Sequence, residues 1–143
     1  MDGDFHKLVE KVAAHLIRNP VVFGGSNDEV KLGANVKLEN ALLNVASGTI
    51  TIGDNTFCGH NVCLLTGNHP LEGNRKHVSP DGHDIRIGKN VWLASNVTVI
   101  GPCTIGDNCV IAAGAVVTKD CEAGWLYGGV PAKQIKRVHG HSS

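Results

Sequence analysis

The sequence predicts an all-β solenoid of about four to five triangular coils behind a short N-terminal helix. Three observations predict it. Aliphatic residues recur every six positions at Ile87, Leu93, Val99, Ile105, Ile111 and Val117. Four residues after each stands a smaller one: Val91, Val97, Cys103, Cys109, Ala115 and Cys121. Glycine makes up 18 of 143 residues and aromatics only 4%, a composition of tight turns and an aliphatic interior rather than of a helical bundle. A period of six fits neither the helix nor the strand repeat. It fits short straight segments joined by tight turns, three of which close one coil of about 18 residues, with each coil stacking its aliphatics on the next.

The elements follow in chain order. Residues 1–20 read as a helical unit, with Phe5, Leu8, Val9, Val12, Leu16 and Ile17 at helical spacing on one face. Asn19-Pro20 ends that helix, because the residue before a proline avoids the helical region. The helix is expected to cover one end of the next element. Residues 21–127 read as the repeat domain. Its first half is a looser copy, with Leu32, Leu38, Ile52, Cys58 and Leu64 as the larger inward set and Val36, Leu42, Thr56 and Val62 as the smaller. The phase slips by two residues between Leu38 and Ile52. The repeat stops at Leu65 and resumes near Ile85. The interval 66–84 carries His69, His77 and His83 with several glycines and prolines, and reads as an extended loop thrown from one corner. Residues 128–143 read as a tail, frayed from His139 onward. Cys103 and Cys121, one nominal coil apart, are expected to stack in the interior.

Charge and length narrow the function. Lys plus Arg and Asp plus Glu are both 13, so the basic surplus of a nucleic-acid binder is missing. No run approaches a membrane span, and the acidic start does not read as a secretory signal. Five cysteines, an odd number, are expected to be reduced thiols in a cytoplasmic protein.

Three motifs then appear in order: Thr66-Gly67-Asn68-His69-Pro70-Leu71; Ile87-Gly88-Lys89-Asn90-Val91-Trp92-Leu93; and the repeats from Ile105 to Asp120 with Gly129-Val130-Pro131-Ala132-Lys133. With them the chain resembles the hexapeptide-repeat acyltransferases, nearest the maltose and galactoside O-acetyltransferase branch. The resemblance implies a left-handed parallel β-helix, assembled as a homotrimer with active sites at the subunit interfaces. It implies an acetyl-CoA-dependent transfer of acetyl to a hydroxyl of a sugar or sugar derivative. The alternatives are N-acetylation of an amino sugar or nucleotide sugar, or a non-catalytic β-helix scaffold.

The resemblance also assigns roles. His69 is the general base, a role for which imidazole suits near-neutral pH. The backbone N–H of Ser95 is the donor to the tetrahedral oxyanion. Trp92 lies near the acceptor, or else packs beneath the loop. Ala113 meets the pantetheine arm of acetyl-CoA, Thr118 and Lys119 its nucleotide end, and Lys133 and Lys136 its phosphates. For each lysine the competing reading is an ordinary solvated face. His77 and His83 read as loop polar residues within reach of a substrate. A zinc site at Cys58, His60, Cys63 and His69 has the wrong spacing for a finger, so no metal is expected. The positions where the galactoside branch reads its sugar with an Asn and an Asp hold Glu39 and Ser47 here.

Overall fold

The structure is a computed structural model that describes residues 3–138, without the side chains of residues 14–18. The expected frayed end and the side chains of Leu16 and Ile17 lie outside that description. Helix α1 spans Gly3–Arg18. Short strands follow. They are β1 Val21–Phe23, β2 Val30–Leu32, β3 Leu42–Asn44, β4 Ile50–Ile52, β5 Phe57–Cys58, β6 Cys63–Leu65 and β7 Ile85–Ile87. Beyond these come β8 Trp92–Leu93, β9 Thr98–Ile100, β10 Cys103–Ile105, β11 Val110–Ile111, β12 Val116–Val117, β13 Trp125–Gly128 and β14 Lys133–Arg137.

The strands form three sheets, visited in rotation. The first sheet is β1-β3-β6-β9-β12, the second β2-β4-β7-β10, and the third β5-β8-β11-β13-β14. All pairs are parallel except β13 with β14. The result is a three-sided parallel β-helix. Among the described residues no helix is long and apolar enough to cross a membrane.

Registry explains the period of six. Leu43, Leu64, Val99 and Val117 stand in line in the first sheet. Ile52, Ile87 and Ile105 stack in the second, and Cys58, Leu93, Ile111 and Tyr127 in the third. All of these are buried, and most are completely so. Each large aliphatic removed from water contributes about 1.5–3 kcal/mol, so the stacked columns hold the coils together. The smaller set, from Val91 to Cys121, is buried beside them. Corners are turned by asparagines in the left-handed region, such as Asn55 at φ 61°, Asn90 at 54° and Asn108 at 63°. Asn is one of the few residues that enters this region at low cost.

Five features depart from expectation. The first coils step by 20–21 residues rather than 18, and the extra residues lengthen one side. Along that side Ala41, Leu43, Val45 and Ser47 point inward, so Leu42 faces out and is half-buried. Leu32, on the first coil, is 48% exposed because no coil lies beneath it. Cys121 pairs with Ile105, not Cys103, because the last step shortens to 16. Helix α1 forms, but among its described apolar residues Leu8, Val9 and Val12 remain about half exposed rather than buried on the solenoid. Residues 133–137, part of the expected tail, form β14 along the edge of the third sheet.

Candidate active site

The chain leaves the first sheet after β6 and does not join the second until β7, so residues 66–84 project from the corner between these sheets. His69 is exposed on this loop. Its Nδ1 lies 3.1 Å from the backbone carbonyl of His77. A carbonyl can only accept, so Nδ1 carries the proton and donates it, which leaves the lone pair on Nε2. His77 thus serves through its backbone. Its side chain is exposed.

The loop closes at a polar neck. Ser79 N–H donates to the Asn68 carbonyl at 3.0 Å, and His77 N–H to the Asn74 carbonyl at 3.0 Å. Asn68 Nδ2 approaches His83 Nε2 at 3.4 Å, while His83 Nδ1 is buried without a partner. Beneath the neck lie Ser47 and Thr66, two of the three fully buried polar residues described, the third being Thr56. Periodicity passed over Ser47. Its signal was a small polar residue in the inward phase of Ala41, Leu43 and Val45.

A second group of residues lies on another corner. Ser95 follows β8 and turns the chain from the third sheet into the first. Its Oγ accepts the His60 N–H at 3.0 Å, and its carbonyl accepts the Gly114 N–H at 3.0 Å. Gly59 underlies this turn, where an added Cβ would sit 2.7 Å from the Ser95 nitrogen. Only glycine lets the two turns approach so closely. Ala113 is exposed one coil above Ser95 at the same corner, beside Gly114 at φ 75°. Gly128 lies against Ala112 and pairs with Lys133, so Lys133 continues the same edge. Lys136 pairs with Leu126 and lines a groove with Val110, Arg137 and Val138. Arg137 stacks over Trp125 at 5.0 Å.

Trp92 faces outward on the third sheet, 45% exposed, and stacks on Phe57 with ring centroids 5.9 Å apart. It does not lie beneath the loop, which leaves from a different corner. Thr118 and Lys119 are exposed on the corner that carries the loop, above it along the solenoid. The Lys119 carbonyl is held by the Cys103 thiol at 3.3 Å and the Cys121 thiol at 3.7 Å. One chain therefore presents two clusters: His69, Thr118 and Lys119 on one edge, and Ser95, Ala113 and Lys133 on another. The first sheet separates them.

All five cysteines are free thiols. Burial pushes Cys58, Cys103 and Cys121 from 9.0 up to about 12, with nearby Glu39 or Asp120 adding to the rise. Burial raises Cys109 as well, against backbone hydrogen bonds that oppose it. Among the described residues no group of three or more His, Cys, Asp or Glu side chains is arranged to hold a metal ion.

The repeat pattern of the bacterial transferase hexapeptide family (six repeats) matches residues 84–119. The chain is 38% identical over 125 residues to the galactoside O-acetyltransferase of Escherichia coli K12, covering 86% of this chain and 61% of that enzyme. It thus spans less than two thirds of that relative's length. Its fold is similar to a galactoside acetyltransferase solved in complex with coenzyme A, with a TM-score of 0.75 and 28% identity, covering 97% of this chain and 74% of the other. It is also similar to a maltose O-acetyltransferase from Clostridium difficile 630, with a TM-score of 0.60 and 27% identity over 98% of this chain and 80% of the other. The three-sided coil is the left-handed parallel β-helix of these proteins. By repeat, coil and likeness together, the chain carries the hexapeptide repeat of the bacterial transferases and is similar to their galactoside and maltose O-acetyltransferases.

Proposed function

We propose that this protein is an acetyl-CoA-dependent O-acetyltransferase that acetylates a hydroxyl of a sugar or sugar derivative. The observation that carries the reading is the His69–His77 contact of 3.1 Å, which leaves Nε2 as a proton acceptor on an exposed loop. Similarity to galactoside O-acetyltransferase supplies the reaction class.

The steps follow from those groups. Nε2 of His69 takes the proton of the acceptor hydroxyl as its oxygen attacks the thioester carbonyl. The carbonyl oxygen becomes an oxyanion, to which the Ser95 N–H donates. The intermediate collapses, the C–S bond breaks, and the thiolate of coenzyme A recovers the proton from His69. Ala113 borders the pantetheine arm, while Thr118, Lys119, Lys133 and Lys136 attract the nucleotide and its phosphates. Trp92 offers an apolar wall beside the acceptor.

The reading requires more than one chain. His69 and Ser95 sit at opposite edges of the first sheet, so each site joins the loop of one subunit to the Ser95–Ala113 edge of the next. The exposed Phe57–Trp92 pair supports a subunit contact on the third sheet, since such aromatic surface is usually covered. We take the assembly to be a homotrimer, working in the cytoplasm, where five free thiols stay reduced.

The test is release of free coenzyme A thiol from acetyl-CoA against a panel of sugars, amino sugars and nucleotide sugars. Turnover with hydroxyl acceptors is expected. Turnover only with amino sugars would move the reading to N-acetylation, and none at all would favour a scaffold.

A further inference from the structure

Ser47 stands at a position where the resemblance to the galactoside branch implies a sugar-reading residue, yet its surroundings give it different work. It is fully buried. Four hydrogen bonds reach it, and all four come from residues at the two ends of the 66–84 loop. Its N–H donates to Thr66 Oγ1 at 3.1 Å. Its carbonyl accepts from the His83 N–H at 3.0 Å. Its hydroxyl donates to the Ser79 carbonyl and accepts from the Asn68 N–H at 3.3 Å. Thr66 and Asn68 belong to the outgoing limb, Ser79 and His83 to the returning one. The outgoing contact immediately precedes His69, and the returning one lies two residues past His77, whose carbonyl orients the imidazole.

We propose that Ser47 is a positioning residue that clamps both limbs of the loop and so holds His69 against the His77 carbonyl. The two limbs touch each other directly through Ser79 N–H and the Asn68 carbonyl, at 3.0 Å. The hydroxyl of Ser47 is the third member of that contact, bonded to a neighbour of each imidazole partner. With its proton and a lone pair both committed inside the solenoid, the hydroxyl does not face an acceptor. Alanine at 47 would leave the Ser79 carbonyl and the Asn68 N–H without their buried partner, and the limbs free to part. The catalytic consequence rests on the proposed acetyl transfer. The clamp itself does not.

Three measurements separate the clamp from other roles. Protein labelled with ¹⁵N-histidine should give His69 a single Nδ1–H tautomer, assigned by its loss in His69→Ala, and Ser47→Ala should give a mixture of tautomers. Trypsin should cut after Arg75 and Lys76 in the loop about tenfold faster in Ser47→Ala. Turnover of that variant should fall about tenfold, with the KM for acetyl-CoA unchanged. A drop in turnover with the tautomer and cleavage rate of the parent would overturn the clamp and return Ser47 to the acceptor, and no change in any readout would overturn it outright. If the parent transfers no acetyl group, the tautomer and the cleavage rate still decide the clamp while the proposed function fails alone. Should Ser47→Ala not fold, hydrogen exchange in the parent decides. Amides of Asn68, Ser79 and His83 exchanging as slowly as those of Leu64 and Val99 support the clamp, and loop-like exchange overturns it.

Discussion

His69 takes its tautomer from a backbone atom. The His77 carbonyl, 3.1 Å from Nδ1, sets which nitrogen is free, and every residue type carries such a carbonyl. That is why the motif around His69 was legible in the sequence while its orienting partner was not. A backbone acceptor leaves no trace in residue identity. It also separates two histidines that look alike in sequence. His77→Ala keeps the carbonyl and should cost turnover less than about threefold, whereas loss of a positioned base costs about 10²–10⁴-fold. Parallel kinetics of the single variants would check this, and an equal loss at both positions would contradict it. Ser47 escaped for another reason. Reading by hydrophobic period flags apolar inward positions, and a buried serine looks like a surface residue until its phase is known.

At the level of the coil, the period of six worked because each inward column needs an aliphatic partner above and below. It failed where that condition lapses. Leu32 has no coil beneath it, and the described apolar residues Leu8, Val9 and Val12 of α1 stay about half exposed. The longer early coils also moved Leu42 outward. Corners are held by carboxylates as well as asparagines. Asp107 Oδ1 accepts the Lys89 N–H of the neighbouring coil at 2.8 Å, as Asp54 does for Ala34 and Asp120 for Thr104. Asp107→Ala should therefore lower stability by about 1–2 kcal/mol, read from the midpoint of urea unfolding. A midpoint unmoved would mean that water replaces the bond without cost.

The buried thiols give the coils a pH dependence. In the unfolded chain they ionise from about 9.0, but in the folded one Cys58, Cys103 and Cys121 hold their protons to about 12. Between those values the folded state binds more protons than the unfolded, so stability falls as pH rises. Thermal scans should show a melting temperature steady up to about pH 9 and declining above it. Replacing Cys103 by Ala or Val should flatten the decline in part, and an unchanged slope would exclude Cys103 as a source.

Across the whole molecule, the sequence carried the solenoid and the place of its loop, while handedness entered only through family resemblance. Hexapeptide spacing fixes which residues stack, not the sense in which the chain winds. Nor could spacing alone show that the candidate site falls into two clusters divided by the first sheet. Under the proposed function, that division makes assembly a condition of activity. Light scattering should give a mass near three times 15.1 kDa, and a monomer at micromolar concentration would leave Ser95 and His69 on separate edges.

The central claim is that a His69 base drives acetyl transfer, and the rate of thiol release from acetyl-CoA with an accepted sugar tests it most directly. His69→Ala should lose about 10²–10⁴-fold in turnover while coenzyme A binds as before, because the loop lies outside the stacked core. Turnover of His69→Ala equal to that of the parent on the same acceptor would contradict the account.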